Sequence, residues 1–241
     1  DDSALGEGSG IPLCFSLRYE RRHLPFPEDQ FPGGYGRGTA TGLRSHHPSP
    51  EGPVHVRCGE KSLLLDTGQS DKYVRNAESL GIDIASVDAC VISHGHYDHA
   101  GGLSYFPKTS DRIPIYIGKN ATRKRYSLSS VMLKPNGFPN PDVLNRFDVH
   151  YVDGVLKISD EVTLFTLPNA APRNEHLVVD GADGKLECDT FSDEVFTIIR
   201  YEGSTVLFGG CTHHGLEQLF EFCKKQLGVS RLSAFVGGLH L

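Results

Sequence analysis

From Val54 onward the chain is built of short apolar runs set off by Gly, Asp, Asn and Pro. Val54 to Cys58 and Ser62 to Asp66 alternate on either side of Gly59-Glu60-Lys61, the pattern of a β-hairpin. Ser70 to Leu80 changes period: Tyr73, Val74, Ala77 and Leu80 share one helical face, with Ser70 as N-cap and Gly81 as stop. Val87 to Ser93 is an apolar run bounded by polar residues and reads as a buried strand ending at Ser93. Ile113 to Ile117 predicts another strand, and Phe147 to Val152, Val155 to Ile158 and Val162 to Leu167 predict successive strands of a second sheet. Leu177 to Val179 adds a further strand. Glu194 to Arg200 and Thr205 to Gly210 form a predicted hairpin across Glu202-Gly203-Ser204. A helix over Leu216 to Leu227 follows, with Leu216, Leu219, Phe220 and Cys223 on its buried side and Gly228 as terminator, and Ser233 to Gly238 is the last strand.

Before Val54 this order breaks down. Residues 1–53 are rich in Gly, Pro, Arg and His, and only Ile11 to Tyr19 alternates as an edge strand would. Leu24 to Pro53 reads as a long loop, with His46 and His47 either solvated or at the rim of a site.

Length and composition narrow the class. A chain of 241 residues can bury one large core, so a single domain over residues 1–241 is expected, with residues 1–53 largely loop. No apolar run approaches the length of a bilayer span, which excludes a transmembrane helix. A formal net charge of −6 gives none of the basic footprint of a nucleic-acid binder, so nucleic acid is a minor hypothesis as partner. The six cysteines stand singly, without CxxC spacing, and Cys90 and Cys223 lie in apolar segments. That usage suits core thiols in a reducing compartment, and the expected location is cytoplasmic.

The candidate chemistry is concentrated in His94-Gly95-His96-Tyr97-Asp98-His99-Ala100-Gly101-Gly102-Leu103, where three imidazoles and a carboxylate fall within six residues. Packing alone gives no reason for such a density of metal-ligating groups. His94 and His96 are two apart in a segment leaving a strand, so their side chains point the same way and can meet one ion. Asp98 and His99 fall in the turn that follows and can face a second ion. Asp66-Thr67-Gly68 ends a predicted strand, and its carboxylate either steadies the metal loop or caps the next helix. Lys119, Arg123, Lys124 and Arg125 form a local basic run that reads first as a solvated face and second as a grip for an anionic substrate.

His94-x-His96-x-Asp98-His99 followed by Gly-Gly-Leu resembles the metal motif of the metallo-β-lactamase superfamily. Together with Leu64-Leu65-Asp66-Thr67-Gly68-Gln69-Ser70, Gly210-Cys211-Thr212-His213 and Gly237-Gly238-Leu239-His240-Leu241, it is similar to the dihydropteroate-synthase-like branch. The resemblance implies an α/β fold, an αββα sandwich of two mixed sheets flanked by helices, and a further segment beyond Leu241. In the superfamily Asp66 orients the metal loop without being a ligand. Many members place their third histidine ligand near position 169, where this chain has an Asn169-x-x-Pro-Arg173 turn that the branch shares. His213 fills that vacancy, and His176 is a minor candidate. The resulting assignment gives His94, His96 and His213 to a first ion and Asp98, His99 and His240 to a second, with Asp98 and His99 also as catalytic residues. Asn169, Arg173, Arg123 and Arg125 are the candidate substrate-binding residues. Cys211 stands where hydrolytic relatives place a bridging carboxylate, and is either a metal-binding thiolate or a packed thiol. His214 is expected to face solvent or substrate.

Six candidate ligands are the number two divalent ions need, and the imidazole-rich set favours zinc, with iron or manganese as alternatives. Hydrolysis of an anionic, phosphorylated small molecule by activated water is then the expected reaction. A transferase displacing pyrophosphate, as in the resembled branch, is the first alternative. A nuclease or a non-catalytic metal-binding protein is the next.

Overall fold

The computed structural model describes residues 53–129, 131–168 and 174–239. The readings made on residues 1–52, Asn169, Arg173 and His240 lie outside them. In chain order the strands are β1 (Val54–Cys58), β2 (Lys61–Leu65), β3 (Ala89–Ile92), β4 (Pro114–Gly118), β5 (Arg125–Leu128), β6 (Leu133–Pro135) and β7 (Asp148–Val152). They continue as β8 (Val155–Lys157), β9 (Val162–Thr166), β10 (Leu177–Asp180), β11 (Leu186–Cys188), β12 (Val195–Tyr201), β13 (Ser204–Phe208) and β14 (Ala234–Val236). The helices are α1 (Lys72–Ser79), α2 (Tyr97–Ala100) and α3 (Leu216–Leu227).

One sheet has the order β1-β2-β3-β4-β7, antiparallel at the β1–β2 hairpin and parallel beyond it. A second has the order β14-β13-β12-β9-β8, antiparallel except for the parallel pair β13–β14. Because successive strand residues face opposite sides of a sheet, each sheet contributes to two cores. Leu64, Cys90, Ile92, Ile115 and Ile117 pack outward under Tyr73 and Ala77 of α1. Leu63, Leu65, Ala89 and Val91 face inward, against Val162, Leu164, Val195, Val206 and Phe208 of the opposite sheet. Phe165, Phe196, Ile198 and Leu207 face outward again and are covered by Leu219 and Cys223 of α3. The layering is thus helix, sheet, sheet, helix, and both sheets are mixed, as expected.

Two departures matter. Asp148–Val152 was expected in the second sheet, yet β7 pairs in parallel with β4 and closes the first. A small third sheet, β11-β10-β5-β6, was not expected as a sheet, and of its strands only β10 matches an expected one, Leu177 to Val179. Its strands are three or four residues long, and β5 begins on the last residue of the basic run, where charge hides a pairing made with β10 about fifty residues away.

Candidate metal centre

The parallel strands β2 and β3 end side by side, and the chain leaving each carries the chemistry. Asp66 follows β2 with φ 60°, a left-handed conformation that turns its carboxylate toward the end of β3. One oxygen accepts the Ser93 backbone N–H at 2.7 Å, and the other accepts Ser93 Oγ–H at 2.8 Å and lies 2.7 Å from His99 Nδ1. Of the two roles open for Asp66, holding the loop that carries His94 to His99 is the one these bonds describe. The first turn of α1 is preceded by Asp71 as N-cap, not by Ser70. Gly95 allows the loop to pass close to its neighbours: a Cβ there would lie 1.8 Å from the Ala121 carbonyl oxygen.

Two sets of donor atoms emerge, each within 4.8 Å: His94 with His96 and His213, and His94 with His99 and Cys211. All five side chains are buried. The Cys211 Sγ lies 3.2 Å from His99 Nε2. Burial, reinforced by the neighbouring histidines and Arg125, pushes the His94 imidazole well below its ordinary range and favours the neutral ring, which keeps one nitrogen lone pair available. Burial opposes charge on His99 too, but the Asp66 carboxylate outweighs it by charge and hydrogen bond, with Cys211 adding to it, and lifts His99 to about 11. A carboxylate behind an imidazole in this way fixes its tautomer and raises its basicity toward an ion on the other nitrogen.

Around His213 the supports come from the loop before β12. Glu194, wholly buried, accepts the backbone N–H of His213 at 2.9 Å and of His214 at 3.3 Å. Burial pushes its carboxyl up to about 8, against the pull of those two donors. Phe191, at φ 51°, lays its ring on His213 with centroids 3.7 Å apart and planes at 10°, and faces His96 edge-on at 5.5 Å.

Of the residues singled out from the sequence, the fold brings together His94, His96, His99 and His213, along with Cys211. Asp98, half-buried on the first turn of α2, belongs to neither donor set. Arg125 was expected at a substrate rim; instead it is 3% exposed, with Nε 2.7 Å from Asp189 and Nη2 2.5 Å from Asp193. Arg123 is nearer the surface and pairs with Glu187 at 2.7 Å, while Lys119 pairs with Asp153 at 3.0 Å. His214 does not face solvent: it is buried, with Nε2 2.9 Å from the Phe191 carbonyl oxygen. His176 is exposed. Asp189, Phe191, Asp193 and Glu194 escaped the sequence reading. The signal that could have found them is three carboxylates within six residues directly ahead of a buried strand, a position where acidic groups need a specific partner.

Comparisons with known proteins bear on the fold and the family. The family model described as the metallo-beta-lactamase superfamily matches residues 54–179. The 7,8-dihydropterin-6-methyl-4-(beta-D-ribofuranosyl)-aminobenzene-5'-phosphate synthase of Methanocaldococcus jannaschii is 26% identical over 198 residues, 76% of this chain and 66% of the synthase. A ribonuclease of Thermus thermophilus is 34% identical over a shorter stretch of 86 residues, 34% of this chain and 19% of its own. Among solved structures, a metal-dependent hydrolase of the beta-lactamase superfamily superposes with a TM-score of 0.67 at 29% identity, covering 79% of this chain and 70% of the other. With the layered fold, the paired donor sets and a family match across more than half its length, the chain belongs to the metallo-β-lactamase superfamily.

Proposed function

We propose that this protein is a metal-dependent enzyme that binds two divalent ions, zinc foremost, and hydrolyses an anionic, phosphorylated small molecule. The observation that carries the reading is the pair of donor sets sharing His94. His94 Nε2 is buried and has no hydrogen-bond partner among the described residues, a position that costs free energy unless something else satisfies it. Three nitrogens on one side and a nitrogen–sulfur pair on the other suit zinc. In this reading His94, His96 and His213 hold the first ion. His99 and Cys211, with Asp98 and His240 from the sequence, hold the second.

When bound, such ions lower the pKa of water toward neutrality and polarise a substrate oxygen. The chain's residues supply the rest. Asp66 holds His99 through Nδ1 and so leaves Nε2 facing Cys211. Asp98, half-buried on α2, is assigned the proton released as water adds to the substrate. The Phe191 ring closes the wall beside His213 and His96 and keeps that side dry. Recognition of the substrate's charge is assigned to Arg123 and to the Asn169 and Arg173 turn, since Arg125 is committed to two carboxylates.

A second reading is favoured by the similarity to the aminobenzene-phosphate synthase: a transferase in which an arylamine displaces diphosphate. One experiment separates the two. Metal-loaded protein is assayed against phosphomonoesters, phosphodiesters, lactones and a pterin diphosphate, with and without an arylamine, in oxygen-18 water. Label in the product without an amine supports hydrolysis. Diphosphate release that requires the amine supports transfer. Absence of turnover on every class would overturn the enzymatic reading.

A further inference from the structure

Arg125 lies at the start of β5 in the small sheet, and its planar fork reaches two carboxylates at once. Nε donates to Asp189 Oδ2 at 2.7 Å and Nη2 to Asp193 Oδ1 at 2.5 Å, while Nη1 donates to the Ala121 carbonyl oxygen at 2.8 Å. The second oxygen of each carboxylate is also engaged. Asp193 Oδ2 accepts the backbone N–H of Gly95 at 2.8 Å, and Asp189 Oδ1 accepts that of Phe191 at 2.8 Å. Gly95 is the residue between His94 and His96, and Phe191 carries the ring stacked on His213. The guanidinium is therefore one carboxylate removed from both sides of the His94-His96-His213 set.

The packing leaves these ties little freedom. A Cβ at Gly95 would meet Arg125 Nη1 at 2.6 Å, and a Cβ at Gly118, where β4 ends, would meet the Asp193 carbonyl oxygen at 2.0 Å. The Asp189-to-Asp193 loop thus presses on the ends of the first sheet, and Val195 N–H, donating to the Ser93 carbonyl oxygen at 2.6 Å, fastens it there. Two buried acids around one buried cation are tolerated where their oxygens find donors, and here each of the four carboxylate oxygens accepts one.

We propose that Arg125, acting through Asp193 and Asp189, is a positioning residue that sets the mutual geometry of the His94, His96 and His213 donors. The role rests on the reading of those donors as a metal site. A lysine cannot replace it, because a point charge cannot span both carboxylates in one plane.

The test is a zinc and cobalt titration of the metal-stripped protein against a competing chelator, with circular dichroism to verify the fold. Asp193→Asn leaves Arg125 and Asp189 as a balanced pair while weakening the tie to Gly95. It should bind the first ion about 10–100-fold more weakly and alter the visible cobalt spectrum. Arg125→Lys should do the same. A folded variant with wild-type affinity and spectrum would overturn the proposal, because a merely structural role lowers the melting temperature without moving either. If wild-type protein binds no ion, the metal reading itself falls. If wild type binds and both variants match it, only the positioning role falls. Should neither variant fold, exchange of the Gly95 amide in wild-type protein decides: slow exchange upholds the bond to Asp193, and exchange at the rate of an exposed glycine removes it.

Discussion

Asp66, Phe191 and Thr212 hold left-handed backbone without being glycine, and all three stand beside the paired donor sets. Each such residue costs roughly 1–3 kcal/mol and persists only where its surroundings over-determine it. Asp66 is held by Ser93 and His99, and Phe191 by Asp189 and the stack on His213. The two arginines of the basic run differ just as sharply. Arg125→Ala would strand Asp189 and Asp193 without their shared cation, and should cost about 3–5 kcal/mol in chemical denaturation. Arg123→Ala breaks a pair that is largely solvent-screened and should cost no more than about 1 kcal/mol, while raising KM for an anionic substrate.

Glu194 gives a pH signature at the same scale. Its folded pKa of about 8 lies above the unfolded value near 4.5, so the folded state binds the proton more tightly. Its contribution is complete below the unfolded pKa and is lost as pH rises toward 8, at most about 1.4 kcal/mol per pH unit. His99, also raised, loses stability in the same direction, so a difference isolates the glutamate. With a chelator present, wild-type protein should lose melting temperature from pH 6.5 to 8 by several degrees more than Glu194→Gln, at about 2–4 °C per kcal/mol. Parallel curves for the two proteins would show that Glu194 does not titrate there.

At the scale of elements, the long apolar periods were the legible part. The hairpin β1–β2 and the hairpin β12–β13 with its turn at Glu202-Gly203 fall where alternation and glycine place them. Helix α3 spans Leu216–Leu227 as read, with Gly228 left-handed at its C-cap, but Phe220, expected on its buried side, is exposed. The strand β3 delivering His94 was legible too, because nothing but burial explains an unbroken apolar run there. What stayed hidden were pairings between distant short segments. β5 carries its information in Arg125, whose partners Asp189 and Asp193 are more than sixty residues away, and no local pattern reports such a contact. The same holds for β7, whose alternation is equally compatible with either sheet. Support and chemistry should also separate by element. Leu219→Ala, under the fully buried face of α3, should cost about 2–5 kcal/mol and leave zinc affinity unchanged in the folded protein. A loss of affinity equal to that of Asp193→Asn would mean that any loosening of the fold disturbs the donors.

Across the whole molecule, the two sheets meet along one inter-sheet core and contribute to the centre from both sides. The first supplies Asp66, His94, His96 and His99 from the loops after β2 and β3, and the second supplies Cys211 and His213 after β13. Metal binding should therefore tie the sheets together, and the melting temperature of the protein should rise with zinc concentration, as it does for any ligand that binds only the folded state. No helix among the described residues is long and apolar enough to cross a membrane. The most direct test of the account is the metal stoichiometry of the folded, stripped protein on titration with zinc, followed by elemental analysis. The account predicts about two ions per chain, falling to about one in Cys211→Ala as the second donor set loses its sulfur. A folded protein that retains no zinc, or a Cys211→Ala variant that still holds both ions as tightly as wild type, would contradict it.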